Sequence, residues 1–103
     1  MSAAENQGAA RRVLRALFAL QGHAFEGVRL KDVAAALDAS PSTALRTLEV
    51  MHAEGIAERI PGRDEFWRLS PRVIQLARAH EQEMARLRER LDETEQRYSR
   101  TVD

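Results

Sequence analysis

The 103-residue chain contains no cysteine, so neither a disulfide framework nor a thiolate metal site can be built, and a reducing cytoplasm is its natural compartment. Long apolar runs are missing as well. No stretch approaches the roughly 20 apolar residues that cross a bilayer, and the N-terminus lacks a basic segment followed by an apolar signal core. Neither a membrane span nor export is expected. Glycine-rich phosphate loops, nucleophile elbows and paired-carboxylate clefts cannot be assembled, and His23, His52 and His80 fall on different elements without metal-ligand spacing. The expectation is no enzyme, no metal and no cofactor.

An excess of charge of one sign is lacking too. Sixteen basic residues meet sixteen acidic ones, whereas phosphate binding usually shows as a basic excess, so any basic surface has to be local. Residues 1–72 hold ten Lys or Arg against nine Asp or Glu, and residues 73–103 hold six against seven. All the basic residues except Lys31 are arginine. Arginine suits bidentate phosphate and guanine contacts, although a GC-rich coding bias accounts for the same preference without any function.

What the chain does have is helical periodicity with clear punctuation. Residues 1–8 are small and polar and read as a frayed tail, with Ser2 and Glu5 as a possible capping box. Ala10, Val13, Leu14, Leu17, Phe18 and Leu20 then predict an amphipathic helix over 9–20. Gln21 to Gly27 breaks it, with Phe25 expected to fold back onto the core, and Leu30, Val33, Ala34 and Leu37 mark a short helix over 30–38. Ser40 followed by Pro41 is a strong helix start, and Gly55 supplies a left-handed stop. On that third helix Ala44, Thr47, Leu48 and Met51 share one side, with Ser42, Arg46, Glu49 and Ala53 about opposite. Ile56 to Ile60, a turn over 61–65 and Phe66 to Leu69 give a two-stranded hairpin with Arg63 at its tip. Ser70 and Pro71 repeat the helix start, and no Gly or Pro follows until about Arg100.

Two helices separated by about three residues make a helix-turn-helix corner, and a hairpin straight after the second helix is a wing. The predicted fold class is mainly α: a winged helix-turn-helix over 9–71, a long coiled-coil-like helix over 72–100, and a tail over 101–103.

Residues 10 to about 77 resemble the N-terminal DNA-binding domain of IclR-type transcriptional regulators. Arg12-Val13-Leu14, Leu17 and Leu20 echo the family's opening pattern. Ser42-Thr43-Ala44, Arg46, Leu48, Met51, Gly55-Ile56 and Glu58-Arg59 are similar to its recognition-helix pattern, and Trp67-Arg68-Leu69-Ser70-Pro71 to the end of its wing. The resemblance implies a third helix inserted in the major groove by a dimeric repressor or activator of transcription. Leu45 departs from the family's polar or aromatic residue, leaving an apolar touch on a thymine methyl or no contact. The family's large C-terminal ligand-binding domain is not in the sequence, so no small-molecule inducer is expected. A cytoplasmic bacterial or phage-borne regulator suits that size.

Ser42, Thr43 and Arg46 are the leading candidates for contact with double-stranded DNA, because an arginine one turn into such a helix can place two donors on guanine while short hydroxyls reach phosphate or base edges. Ser40 opens the helix N-terminus, where backbone N–H groups favour a phosphate. The plain alternative is a solvated face in which Arg46 pairs with Glu49 or Val50 packs on a neighbour. Glu49 itself repels phosphate unless it accepts from a cytosine amino group. Arg63, with Arg59 and Arg68 on its strands, can enter the minor groove or clamp phosphate, against an opposing pull from Asp64 and Glu65. Lys31, and below it Arg11, Arg12 and Arg29, are backbone candidates. Trp67 is expected to pack the wing against the third helix.

The last helix carries a heptad seam. Val73, Ala77, His80, Met84, Leu87, Leu91, Thr94 and Tyr98 follow the alternating four-and-three spacing of paired helices, with Ala77, Met84, Leu91 and Tyr98 at a positions. A parallel homodimer brings Glu83 to Arg88 and Arg90 to Glu95 of the second copy, both attractive and each worth about 0.3–0.5 kcal/mol. His80 makes such a seam pH-sensitive or is simply tolerated at its edge. Charge around most of the helix disfavours membrane binding. The competing reading is a winged-helix protein-interaction adaptor, supported by zero net charge and by Glu49, Asp64 and Glu65 near the DNA face.

Overall fold

The structure is a computed structural model that describes the backbone of residues 3–100 and the side chains of residues 7–100. Its elements are α1 (Ala3–Leu20), β1 (Val28–Arg29), α2 (Leu30–Leu37), α3 (Pro41–Ala53), β2 (Ala57–Ile60), β3 (Arg63–Leu69) and α4 (Pro71–Arg100). The chain divides into two compact units, residues 1–72 and residues 73–103. The first is a winged helix-turn-helix, and α4 supplies the second.

Helix α1 begins at Ala3, not at residue 9. Ala3, Ala4 and Gln7 are good helix formers, and the cost of Gly8, about 1 kcal/mol against alanine, does not stop the helix. Ser2 and the side chain of Glu5 lie outside the described residues, as do residues 101–103. The buried stripe of α1 is also rotated from the expected one. Ala16 and Leu20 are buried with Val13 and Leu17 packed beside them, whereas Leu14 and Phe18 are 56% and 68% exposed. Alanine, too small to stand out in a hydropathy pattern, lets α1 sit close to its neighbours, and this turns the larger Leu14 and Phe18 outward. Phe25 is 92% exposed and does not fold back onto the core.

The corner between α2 and α3 is three residues long, 38–40. Asp38 takes the left-handed conformation at φ 52°, and Ala39 N–H donates to the Ala34 carbonyl at 3.0 Å, closing α2. Ser40 then caps α3 as expected: its hydroxyl accepts from Thr43 N–H at 3.2 Å, with Pro41 in the first helical turn. Ala44, Thr47, Leu48 and Met51 are the buried residues of α3, the face its sequence marks out. Gly55 ends the segment at φ 77°, and Ile56 N–H returns to the Met51 carbonyl at 2.8 Å.

The wing is larger than a hairpin. Strands β1, β3 and β2 form an antiparallel sheet in that order, with Val28 opposite Trp67 and Arg29 opposite Phe66. The turn shrinks to Pro61-Gly62, because Arg63, Asp64 and Glu65 are extended within β3 rather than looped. A register shift between Arg59 and Ile60 lets both Ala57 and Ile60 be buried, which strict alternation forbids. Trp67 is buried in one core cluster with Leu20, Val33, Leu37, Leu48 and Met51. Ser70 differs from Ser40: its hydroxyl donates to the Gly55 carbonyl and its N–H to the Ile56 carbonyl, tying the end of β3 to the end of α3.

Candidate nucleic-acid interface

Burying one side of α3 fixes what the other side presents. Ser40, Ser42, Arg46 and Glu49 are exposed, and Thr43 is half-buried at the rim. The capping bond is the root of a short polar chain. Ser40 Oγ lies 3.2 Å from Ser42 Oγ and donates to Thr43 Oγ1 at 3.0 Å. Thr43 Oγ1 also accepts from Arg46 Nη2 at 3.4 Å. Arg46 is therefore steadied by the hydroxyl one turn back and not by Glu49. The four side chains form one array on the first turns of the helix, where backbone N–H groups and the positive end of the helix dipole also point.

Leu45 behaves differently from its neighbours. It is half-buried and packed against the core, so the departure from a polar residue at this position serves packing. Lys31 is exposed on α2 and shares a shallow depression with Arg29, Pro41 and Glu65, close to the start of α3.

The wing arginines each have a neighbour. Arg59 stacks on Trp67, 4.6 Å from the ring centroid, and Arg68 Nε pairs with Glu58 at 3.0 Å. Arg63 is exposed but folds back, its guanidinium 3.7 Å from the Phe66 ring centroid and Nη1 donating to the Glu26 carbonyl at 3.1 Å. Arg29 stacks on the same ring at 5.1 Å and reaches Glu65 at 3.8 Å. Phe66 thus organises two guanidiniums, a role the sequence does not announce because it depends on a strand only two residues long. Arg63 starts a strand and does not stand at a loop tip.

A further feature absent from the sequence reading is a groove between α1 and α3. Arg12 and Val13 line it from α1, and Thr43, Arg46 and Val50 from α3. Its signal in the sequence is faint: Ala9 and Ala10, small residues on α1 that leave room beside α3.

Helix α4, taken alone, contains no buried residue. Val73 is half-buried; Ala77, His80, Met84, Leu87, Leu91, Thr94 and Tyr98 are exposed along one seam, with Ile74 and Leu76 flanking its beginning. Thr94 Oγ1 donates to the Arg90 carbonyl at 2.8 Å, which satisfies the hydroxyl within the helix. Arg97 and Arg100 complement the dipole at the C-terminal end.

Among the described residues no group of three or more His, Asp or Glu side chains is gathered as metal ligands, and no helix is long and apolar enough to cross a membrane. Comparison with curated proteins finds no match to the chain. The family model of the IclR helix-turn-helix domain matches residues 9–61, from α1 through β2. That stretch contains the Ser40–Thr43–Arg46 array and the corner that presents it, and it covers more than half of the sequence. The chain belongs to the IclR helix-turn-helix domain family, a family of DNA-binding regulatory domains.

Proposed function

We propose that this protein is a sequence-specific double-stranded DNA-binding transcription regulator that acts as a homodimeric repressor, placing α3 in the major groove. The observation that carries this reading is the array on α3, in which one cap residue, two hydroxyls and one guanidinium are linked on the solvent face of a helix whose other face is core. Arg46 reads a base edge, Ser42 and Thr43 meet phosphate or base, and Ser40 with the helix N-terminus holds a backbone phosphate. Lys31 adds a backbone contact beside them. Glu49 contributes selectivity at a cost in affinity. Contact by the wing through Arg63 requires that side chain to leave Phe66 and the Glu26 carbonyl, so the wing follows α3 into place.

Residues 72–100 supply the dimer, a reading supported by the exposed heptad seam of α4. Two-fold symmetry then sets half-sites about one helical turn apart, or further if the paired helices hold the heads wide. Selection from a pool of random duplexes at two salt concentrations tests the proposal. The expected result is a salt-sensitive affinity and an enriched two-fold symmetric motif; no retention of duplex at low salt by the folded protein contradicts it. One observation favours a second reading, a protein-interaction adaptor: Arg59, Arg63 and Arg68 are all engaged within the wing. In that case association proceeds unchanged when Ser42 or Arg46 is replaced, and no duplex is retained.

A further inference from the structure

We propose that the groove between α1 and α3 is a second DNA contact, a backbone phosphate site in which Arg12 is the principal donor. This rests on the reading of the chain as a DNA-binding regulator and extends it to a helix outside the helix-turn-helix corner. The groove measures about 610 Å³ and is lined by two guanidiniums, Arg12 and Arg46, with no carboxylate among the described residues that line it. In a chain with zero net charge this is a local concentration of positive charge, next to the array that reads bases. Ala9 and Ala10 keep the α1 wall low, which lets a bulky phosphodiester approach. Thr43, on the opposite wall, adds a hydroxyl.

The state of Arg12 gives the site its direction. Its side chain is half-buried, and its Nε is buried with no hydrogen-bond acceptor among the described residues, so the guanidinium has hydrogen-bonding capacity not used by those residues. Its Nη1 lies back along α1 near Gly8, 3.5 Å from where a Cβ there would stand. Among the described residues no carboxylate pairs with it. The sheet arginines contrast with it: Arg29 and Arg68 are paired with glutamates, and Arg59 and Arg63 are stacked on aromatic rings. The cationic groups left to neutralise phosphate therefore lie on the helices, and Arg12 and Arg46 meet in one groove. A phosphate there fixes α3 in the major groove without carrying sequence information.

The test is the salt dependence of binding by the full chain to two duplexes, one selected by the protein and one scrambled. Arg12→Gln is expected to lower the slope of log Kd against log salt by about 0.9, weakening both duplexes by the same factor and leaving the selected motif unchanged. Arg12→Lys should retain most of the slope, and Arg15→Gln, on α1 but outside the groove, should leave it unaltered. Circular dichroism of each variant confirms the fold. An unchanged slope for Arg12→Gln while the wild type binds both duplexes overturns the groove and leaves the regulator standing. Equal losses for Arg12→Gln and Arg15→Gln also overturn it, because general charge then explains the effect. A wild type that binds neither duplex removes both readings.

Discussion

Gly27 shows how much of the wing depends on one residue. At φ 72° it occupies the left-handed region, and a Cβ there would overlap the Ile60 side chain and stand 2.9 Å from the Trp67 carbonyl oxygen, which is backbone and cannot yield. Gly27→Ala is expected to cost about 2 kcal/mol or more, read as a lower midpoint in urea unfolding. The loss falls on the junction of β1 and β3, and with it on the Phe66 stack. Arg46 is the contrasting case, since its side chain is exposed and, among the described residues, bonded only to Thr43. Arg46→Ala should leave the unfolding midpoint within about 0.5 kcal/mol of wild type. On the selected duplex the same variant should lose about 1–3 kcal/mol and relax preference at one base position. An unchanged motif from Arg46→Ala removes that residue from base reading. At this scale the sequence is a fair guide where the signal is local. Ser40, Pro41 and Gly55 announce themselves by residue type, whereas Phe66 and Gly27 depend on partners distant in sequence.

Among the elements, α3 and α4 are legible because caps and periodicity are written into consecutive residues. The two-residue β1 is not, since Val28 and Arg29 become a strand only by pairing with Trp67 and Phe66. The charged run Arg63-Asp64-Glu65 resembles a loop, yet it lies at the start of the central strand of the sheet. In α1 the helix is legible and its buried face is not, because Ala16 outranks Leu14 and Phe18 for the core by being small. For α4 the legible feature is the seam, and the exposed Met84, Leu87 and Leu91 give it apolar surface. A 30-residue helix spans about 45 Å. Replacing Leu87 and Leu91 together by Glu is expected to convert a dimer to a monomer in sedimentation equilibrium, with the helix-turn-helix unit still folded. The same oligomeric state before and after the double replacement contradicts the seam. Truncation after Arg72 gives an independent version of that test.

For the molecule as a whole, zero net charge means that affinity for DNA has to come from a few placed cations and not from a general basic field. Such a protein should bind non-cognate DNA weakly, and its specificity should rest on α3 contacts doubled by a second copy. The core that holds α3 is small, with Trp67 as its largest buried side chain, so the placement of α3 depends on the sheet as well as on the helices. The most direct measurement is the ratio of Kd values for a selected, two-fold symmetric duplex and a scrambled duplex of equal length, titrated with the full chain at physiological salt. A sequence-specific regulator is predicted to give a ratio of about 10³ or more, with a bound stoichiometry of two chains per duplex. Equal Kd values for the two duplexes, or no binding to either by a folded chain, contradict the account.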